Sequence, residues 1–181
     1  LTAASQFDMR KILSFHIISQ IGYMVMGLGL FTVMGIAGAI FFMVHNIITK
    51  TNTFLIAGIV SRIRGTYELK SIGGLYRSYP FLALLFVVAS FGLAGVPPLS
   101  GFVGKLLLIV AGFEDQNYLI TGVAILVGLF TLFSMVKIWN EGFWKKHPGG
   151  EIDAKTEIPF SMIFPVVILA SGRSEEHTSE L

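Results

Sequence analysis

The chain has 181 residues, of which 54% are hydrophobic and 13% charged, about half the charged share of an ordinary soluble domain. Between Ile12 and Ser61 the only formally charged side chain is Lys50, and between Phe81 and Phe113 it is Lys105, a segregation that excludes a soluble domain and points to a bilayer. The absence of cysteine excludes disulfides, thiolate metal sites and iron–sulfur ligation, and a formal net charge of +2 is too small to suggest a nucleic-acid partner.

Residue 1 is Leu and no charged-then-apolar leader precedes the first span, so neither an initiator methionine nor a signal peptide is read, and the chain is expected to be an internal piece of a longer protein. Asp8, Arg10 and Lys11 read as a membrane-surface anchor. Ile12 to Leu30 is long enough to cross the hydrocarbon core. On it His16, Gln20 and Tyr23 recur at i, i+4, i+7, a stripe weighted more towards packing than towards a pathway. Gly27, Gly29, Gly35, Gly38 and Ala39 suggest close helix contacts.

The second span, Ile36 to Val60, carries Lys50 just past its midpoint. Arg62 lies on the order of 15 Å further along the helix, beyond the snorkelling reach of a lysine stem. A lysine at that depth costs about 2.5–3.5 kcal/mol, so it should face protein or water and reads as functional. In HNIITKTNT, Asn46, Lys50 and Thr53 stand at i, i+4, i+7, with His45, Thr49 and Asn52 in the adjacent row. This broad polar face suits a proton relay of waters, an amine and an imidazole; the alternative is a helix interface joined by polar side chains. The following segment, SRIRGTYELKSIGGLYRSYP, is expected to be an interfacial loop turning at Gly73-Gly74.

Pro80 to Gly112 is interrupted by AGVPPLSGFVGK, leaving Phe81 to Ala94 and Phe102 to Gly112, each too short to cross alone. Read as one crossing made of two half-helices, it places Arg10/Lys11, Arg62/Arg64/Lys70/Arg77 and Lys145/Lys146 on one side, and the acidic Glu114/Asp115 on the other. The positive-inside rule favours that reading, with the basic loops cytoplasmic. Pro97 and Pro98 remove two backbone donors, and Gly95 and Gly101 permit unwound backbone, which a hydrated, protein-lined cavity tolerates and lipid does not. A discontinuous helix of this kind marks an ion or substrate site, and the alternative is a proline kink for packing. Lys105 is expected near the positive end of the second half-helix, where dipole and desolvation both disfavour its ammonium and ease proton release. A salt bridge to an acid elsewhere is the alternative.

Tyr118 to Ile138 is the third long span, and Ile158 to Ser171 begins another. RSEEHTSEL resembles the translation of a sequencing-library adapter, so residues 173–181 are read as a non-native tail. No nucleotide, metal or nucleophile motif is present, so neither catalytic residues nor cofactors are expected.

DMRKILSFHIISQIGYM, HNIITKTNTFLIAG and GGLYRSYPFLALLFVVASFGLAGVPPLSGFVGK occur in an order and at spacings that resemble the antiporter-like subunits shared by complex I and the Mrp-type Na+/H+ antiporters, most closely the D-type subunit of the latter. The resemblance implies an all-α, polytopic membrane bundle of about 14 helices containing two inverted five-helix repeats, each with one broken helix. Residues 1–145 would supply most of the second repeat, and 146–172 a cytoplasmic loop and the start of a final helix. The family's hydrophilic axis would map onto Lys50 and Lys105, with His45 nearby, five residues before the span lysine where many relatives place a histidine four before. The function implied is proton translocation within a hetero-oligomeric monovalent cation/proton antiporter of a prokaryotic cell membrane, H+ and Na+ being the ions. A pumping subunit of complex I or a membrane hydrogenase is the alternative, and a scaffold with no ion path is a third.

Overall fold

In the computed structural model, residues 5–147 and 158–175 are described, and the named elements among them are helical. Asp8 caps the first helix, α1 (Met9–Gly29), by accepting at Oδ1 from the amides of Arg10 at 2.9 Å and Lys11 at 3.2 Å. Thr32 does the same for α2 (Val33–Arg64), its hydroxyl oxygen accepting from Gly35 N at 3.0 Å. With 32 residues α2 is about 48 Å long, so it overshoots the hydrocarbon core and carries Arg62 and Arg64 clear of it. It ends at Gly65, at φ +70°.

The expected loop is more structured than its sequence suggests. It folds as two short helices, α3 (Leu69–Ile72) and α4 (Leu75–Ser78), that bury Leu69, Ile72 and Leu75 beneath Met9, Ile12 and Phe143. The turn between them falls at Gly73 and Gly74, both at positive φ, as the sequence predicts. The aromatic and basic residues here pack on one another: Arg10 lies over the Tyr67 ring at 3.8 Å, and Lys70 and Lys137 lie over the Phe7 ring at 4.1 and 3.7 Å.

Next come the half-helices α5 (Pro80–Ala94) and α6 (Ser100–Glu114), then α7 (Tyr118–Ile138). A single π-helical turn, Trp139–Trp144, continues α7, and α8 (Phe160–Glu175) contains Pro165. Of the expected final segments, residues 148–157 and 176–181 lie outside the described residues.

Hydrogen bonds fix which ends lie together. Met9 N donates to Tyr67 O at 3.0 Å, Gly74 N to Lys145 O at 2.5 Å, and Lys137 Nζ to Gln6 O at 2.7 Å. The start of α1, the α3–α4 segment and the end of α7 therefore meet at one end of the bundle. At the other, the Tyr23 hydroxyl donates to Ala124 O. Because α5 starts at the first end and α7 returns to it, α5 and α6 together make one crossing.

Two apolar clusters pack the bundle. One joins Met9, Ile12 and Leu13 of α1 to Ile56, Ile59 and Val60 of α2, and the other joins Tyr23, Met26 and Leu30 to Ala39 and Phe42. Residues 16–20 of α1 and 45–53 of α2 form a polar belt between them.

Candidate functional site

The site begins with a backbone deficit. In an α-helix the amides of residues 97 and 98 would donate to the carbonyls of 93 and 94, but both are proline and have no N–H. The helix stops at Gly95, at φ +79°, and α6 starts only at Ser100. Lys105 Nζ supplies the two missing donors, to Leu93 O at 3.0 Å and Ala94 O at 2.8 Å, with the residue 6% exposed.

This corrects one part of the sequence reading of Lys105, the helix end that its ammonium meets, and leaves the expected burial in place. Its Cα belongs to the N-terminal part of α6, whose positive dipole end would disfavour an ammonium, but the flexible stem carries Nζ back to the C-terminal carbonyls of α5. There the partial charge is negative and favours a cation. The stem passes close to Gly95, where a Cβ would lie 2.9 Å from Lys105 Cδ, so the glycine serves both the left-handed turn and the lysine's path.

His45 bridges the same break from α2. Its Nδ1 lies 2.9 Å from Ser100 Oγ, and its Nε2 lies 3.2 Å from Gly92 O and 3.2 Å from Thr49 Oγ1. Gly92 O can only accept, so Nε2 carries the hydrogen and Nδ1 accepts from the Ser100 hydroxyl. The imidazole thus ties α2 to the last turn of α5 and the first of α6. Gly101 makes room for it: a Cβ there would overlap Gly92 O and stand 2.6 Å from His45 Nε2.

Lys50 is half-buried on the same helix and donates to Leu13 O of α1 at 3.0 Å. Asn46, Thr49, Asn52 and Thr53 are buried beside it. The Thr53 hydroxyl turns back on its own helix, to Thr49 O at 3.1 Å and Lys50 O at 2.9 Å, whereas both amide atoms of Asn46 and the Asn52 oxygen have no protein partner among the described residues. His16, Gln20 and Tyr23 are buried as well, and the Tyr23 ring lies 5.4 Å from that of Phe42 on α2.

Five partners escaped the sequence reading: Ser100 and the carbonyls of Leu13, Gly92, Leu93 and Ala94. The last pair was accessible, since counting back four residues from each proline names both. Chemically the break is a buried, transferable charge set on unwound backbone, flanked by a hydrogen-bonded imidazole and a second lysine on α2.

Residues 1–131 match a family model described as NADH:quinone oxidoreductase/Mrp antiporter, transmembrane. The D-type subunit of a Na+/H+ antiporter from Alkalihalophilus pseudofirmus is 50% identical over 171 residues, covering 94% of this chain and 34% of the relative. The chain therefore spans about a third of the length of that curated relative. Among solved structures, the Mrp complex of Dietzia sp. matches with a TM-score of 0.84 and 28% identity, over 94% of this chain and 40% of that one. The membrane-bound sulfane sulfur reductase, an archaeal respiratory membrane complex, matches with a TM-score of 0.89 and 28% identity, over 95% of this chain and 28% of that one. With 3 helices among the described residues long and apolar enough to cross a bilayer, the molecule is a multi-pass membrane protein.

Proposed function

The chain belongs to the NADH:quinone oxidoreductase/Mrp antiporter transmembrane family, and on that premise we propose that it is part of the proton-translocating D-type subunit of a multisubunit Na+/H+ antiporter. It acts as an ion-transporter subunit inside a hetero-oligomeric complex of a prokaryotic cell membrane, with the basic loops on the cytoplasmic side. The observation that carries the reading is the Lys105 ammonium, buried and held by two carbonyls that the proline pair leaves without amide partners.

Lys105 is the terminal switch and Lys50 its relay partner. When Lys105 holds its proton, a full charge satisfies the C-terminal carbonyls of α5. When it gives the proton up, those carbonyls keep only a neutral amine and the local field changes sign for any cation nearby. Each lysine's charge opposes charge on the other, so proton arrival at one favours release from its neighbour and couples to cation movement. His45 belongs to this machinery as the group that fixes the two half-helices against α2, beside the relay role that the family resemblance implies for it.

The test is Na+-dependent proton exchange in everted vesicles that carry the full-length subunit with its partners, comparing Lys105→Ala with the parent at equal assembly. Loss of exchange is expected; undiminished exchange would favour the scaffold reading. The likeness to the archaeal respiratory complex supports a second reading, a proton-pumping subunit of a redox complex such as complex I or a membrane hydrogenase. The same lysines would serve it, and the subunits that co-purify with the chain separate the two.

A further inference from the structure

The last turns of α7 and the π-helical turn that continues it carry a groove of about 500 Å3, lined by Phe133, Val136, Lys137, Trp139, Asn140 and Trp144. Single π-helical turns of this kind are rare and concentrate at functional sites. The lining changes character along its length. Phe133 and Val136, 58% and 47% exposed, lie towards the bilayer interior, and Lys137, Asn140 and Trp144 follow towards the end where the start of α1 and the α3–α4 segment gather. From Phe133 to Asn140 the change takes about two helical turns.

Aromatic rings fix the level of the polar end. Trp139 meets Tyr76 edge-on at 6.0 Å between ring centres, and Tyr76 lies 5.8 Å from Trp144. Tryptophan and tyrosine collect at the depth of the lipid headgroups. The cations at this level are held by contacts: Lys137 Nζ donates to Gln6 O at 2.7 Å and lies 3.7 Å from the centre of the Phe7 ring, and Lys70 Nζ lies 4.1 Å from the same centre. The two ammoniums therefore stand no more than about 8 Å apart, where like charges repel and a nearby anion relieves both. The acids described at this end are Asp8, Glu68 and Glu141; Asp8 caps α1 and Glu141 pairs with Lys145 at 3.0 Å, so basic side chains are left in excess.

We propose that the groove binds one anionic phospholipid, with an acyl chain along Phe133 and Val136 and the headgroup phosphate at Lys137, reinforced by the field of Lys70. The Asn140 amide adds a donor for phosphate or ester oxygens. A neighbouring helix would meet the groove with side chains along its whole length, whereas a lining that passes from apolar to cationic within two turns matches an amphiphile standing in one leaflet. Basic pockets at the ends of membrane helices recognise anionic headgroups in this way. The assignment requires that α7 crosses the bilayer and is independent of which ions the complex moves.

The experiment uses the assembled complex, with the full-length subunit, in phosphatidylcholine vesicles that contain the same small fraction of a photoreactive lipid, either phosphatidylglycerol or phosphatidylcholine with the reactive group in its acyl chain. After illumination, mass spectrometry reads the lipid adducts on residues 133–144. Phosphatidylglycerol should label this segment about tenfold or more over phosphatidylcholine, and Lys137→Gln and Lys70→Gln should each lower that preference about fivefold, the share of one lysine at a leaflet surface. If Lys137→Gln fails to assemble for want of its bond to Gln6, Lys70→Gln decides alone. A preference unchanged in both variants would overturn the placing of the headgroup at these lysines. Equal labelling by the two lipids in the parent would make this ordinary annular contact and overturn the site. Labelling by neither would mean that polypeptide, from the rest of the subunit or from another subunit, covers the groove, and overturns it too. Loss of the preference on adding inorganic phosphate would give the lysines to a soluble anion and overturn the lipid.

Discussion

At the scale of single residues, the prolines at 97 and 98 decide where Lys105 goes. They strip two carbonyls of their amides, and only a long cationic side chain from α6 reaches both. Glycine at 101 is equally constrained, by overlap of a Cβ with Gly92 O and its approach to His45 Nε2. Gly101→Ala should destabilise the assembled complex by about 1–3 kcal/mol, read as a lower melting temperature of the purified complex. Gly22→Ala, with nothing within 4 Å of the added Cβ, is the matched control and should be close to neutral. The two lysines were legible because charge is so sparse in the sequence. Lys105's surroundings were misjudged because a helix position fixes Cα, whereas a four-carbon stem lets the ammonium end near a different helix terminus. The bonds of His45 were not legible at all, because they depend on how α2 packs across a break whose geometry no local pattern encodes.

At the scale of elements, long apolar runs declared themselves: the third span was read as Tyr118 to Ile138, which is where α7 lies. The segment between α2 and α5 did not, since helices of 4 residues are too short to show a 3.6-residue period. Yet this segment anchors one end of the bundle, with Ile72 and Leu75 fully buried among α1 and the π-helical turn. Ile72→Ala should therefore cost about 2–5 kcal/mol, although the sequence alone makes it a loop residue. Tyr76→Ala, at a residue 48% exposed, should cost distinctly less. Chemical melting of the purified complex carrying each variant checks both, and equal losses would mean that α3 and α4 are surface decoration.

At the scale of the whole molecule, the charge-parity argument and the hydrogen bonds converge on one crossing for α5 and α6. The chain has no native cysteine, so single cysteines at Arg77, Lys146 and Glu114 can be labelled from either side of a sealed vesicle. Positions 77 and 146 should react together and 114 from the opposite face; reaction of 146 with 114 would refute the topology. Leu119 at 86%, Ile18 at 69% and Val25 at 61% exposure leave wide apolar faces on α7 and α1, and Lys50 sits only half-buried beside one of them. Residues 1–172 produced alone in detergent should accordingly fail to give a monodisperse, protease-resistant species. The break itself has a further consequence, for how such chains can change over generations. His45 grips residues 92 and 100, while Lys105 grips 93 and 94, so the stretch from Gly92 to Lys105 is locked in length as well as in kind. One codon gained or lost within α6 ahead of Lys105 would swing its side chain by about 100° and leave both carbonyls bare. Lineages descended from this chain can reword that passage but cannot respace it, and insertions should collect instead in the short joins at 30–32 and 115–117.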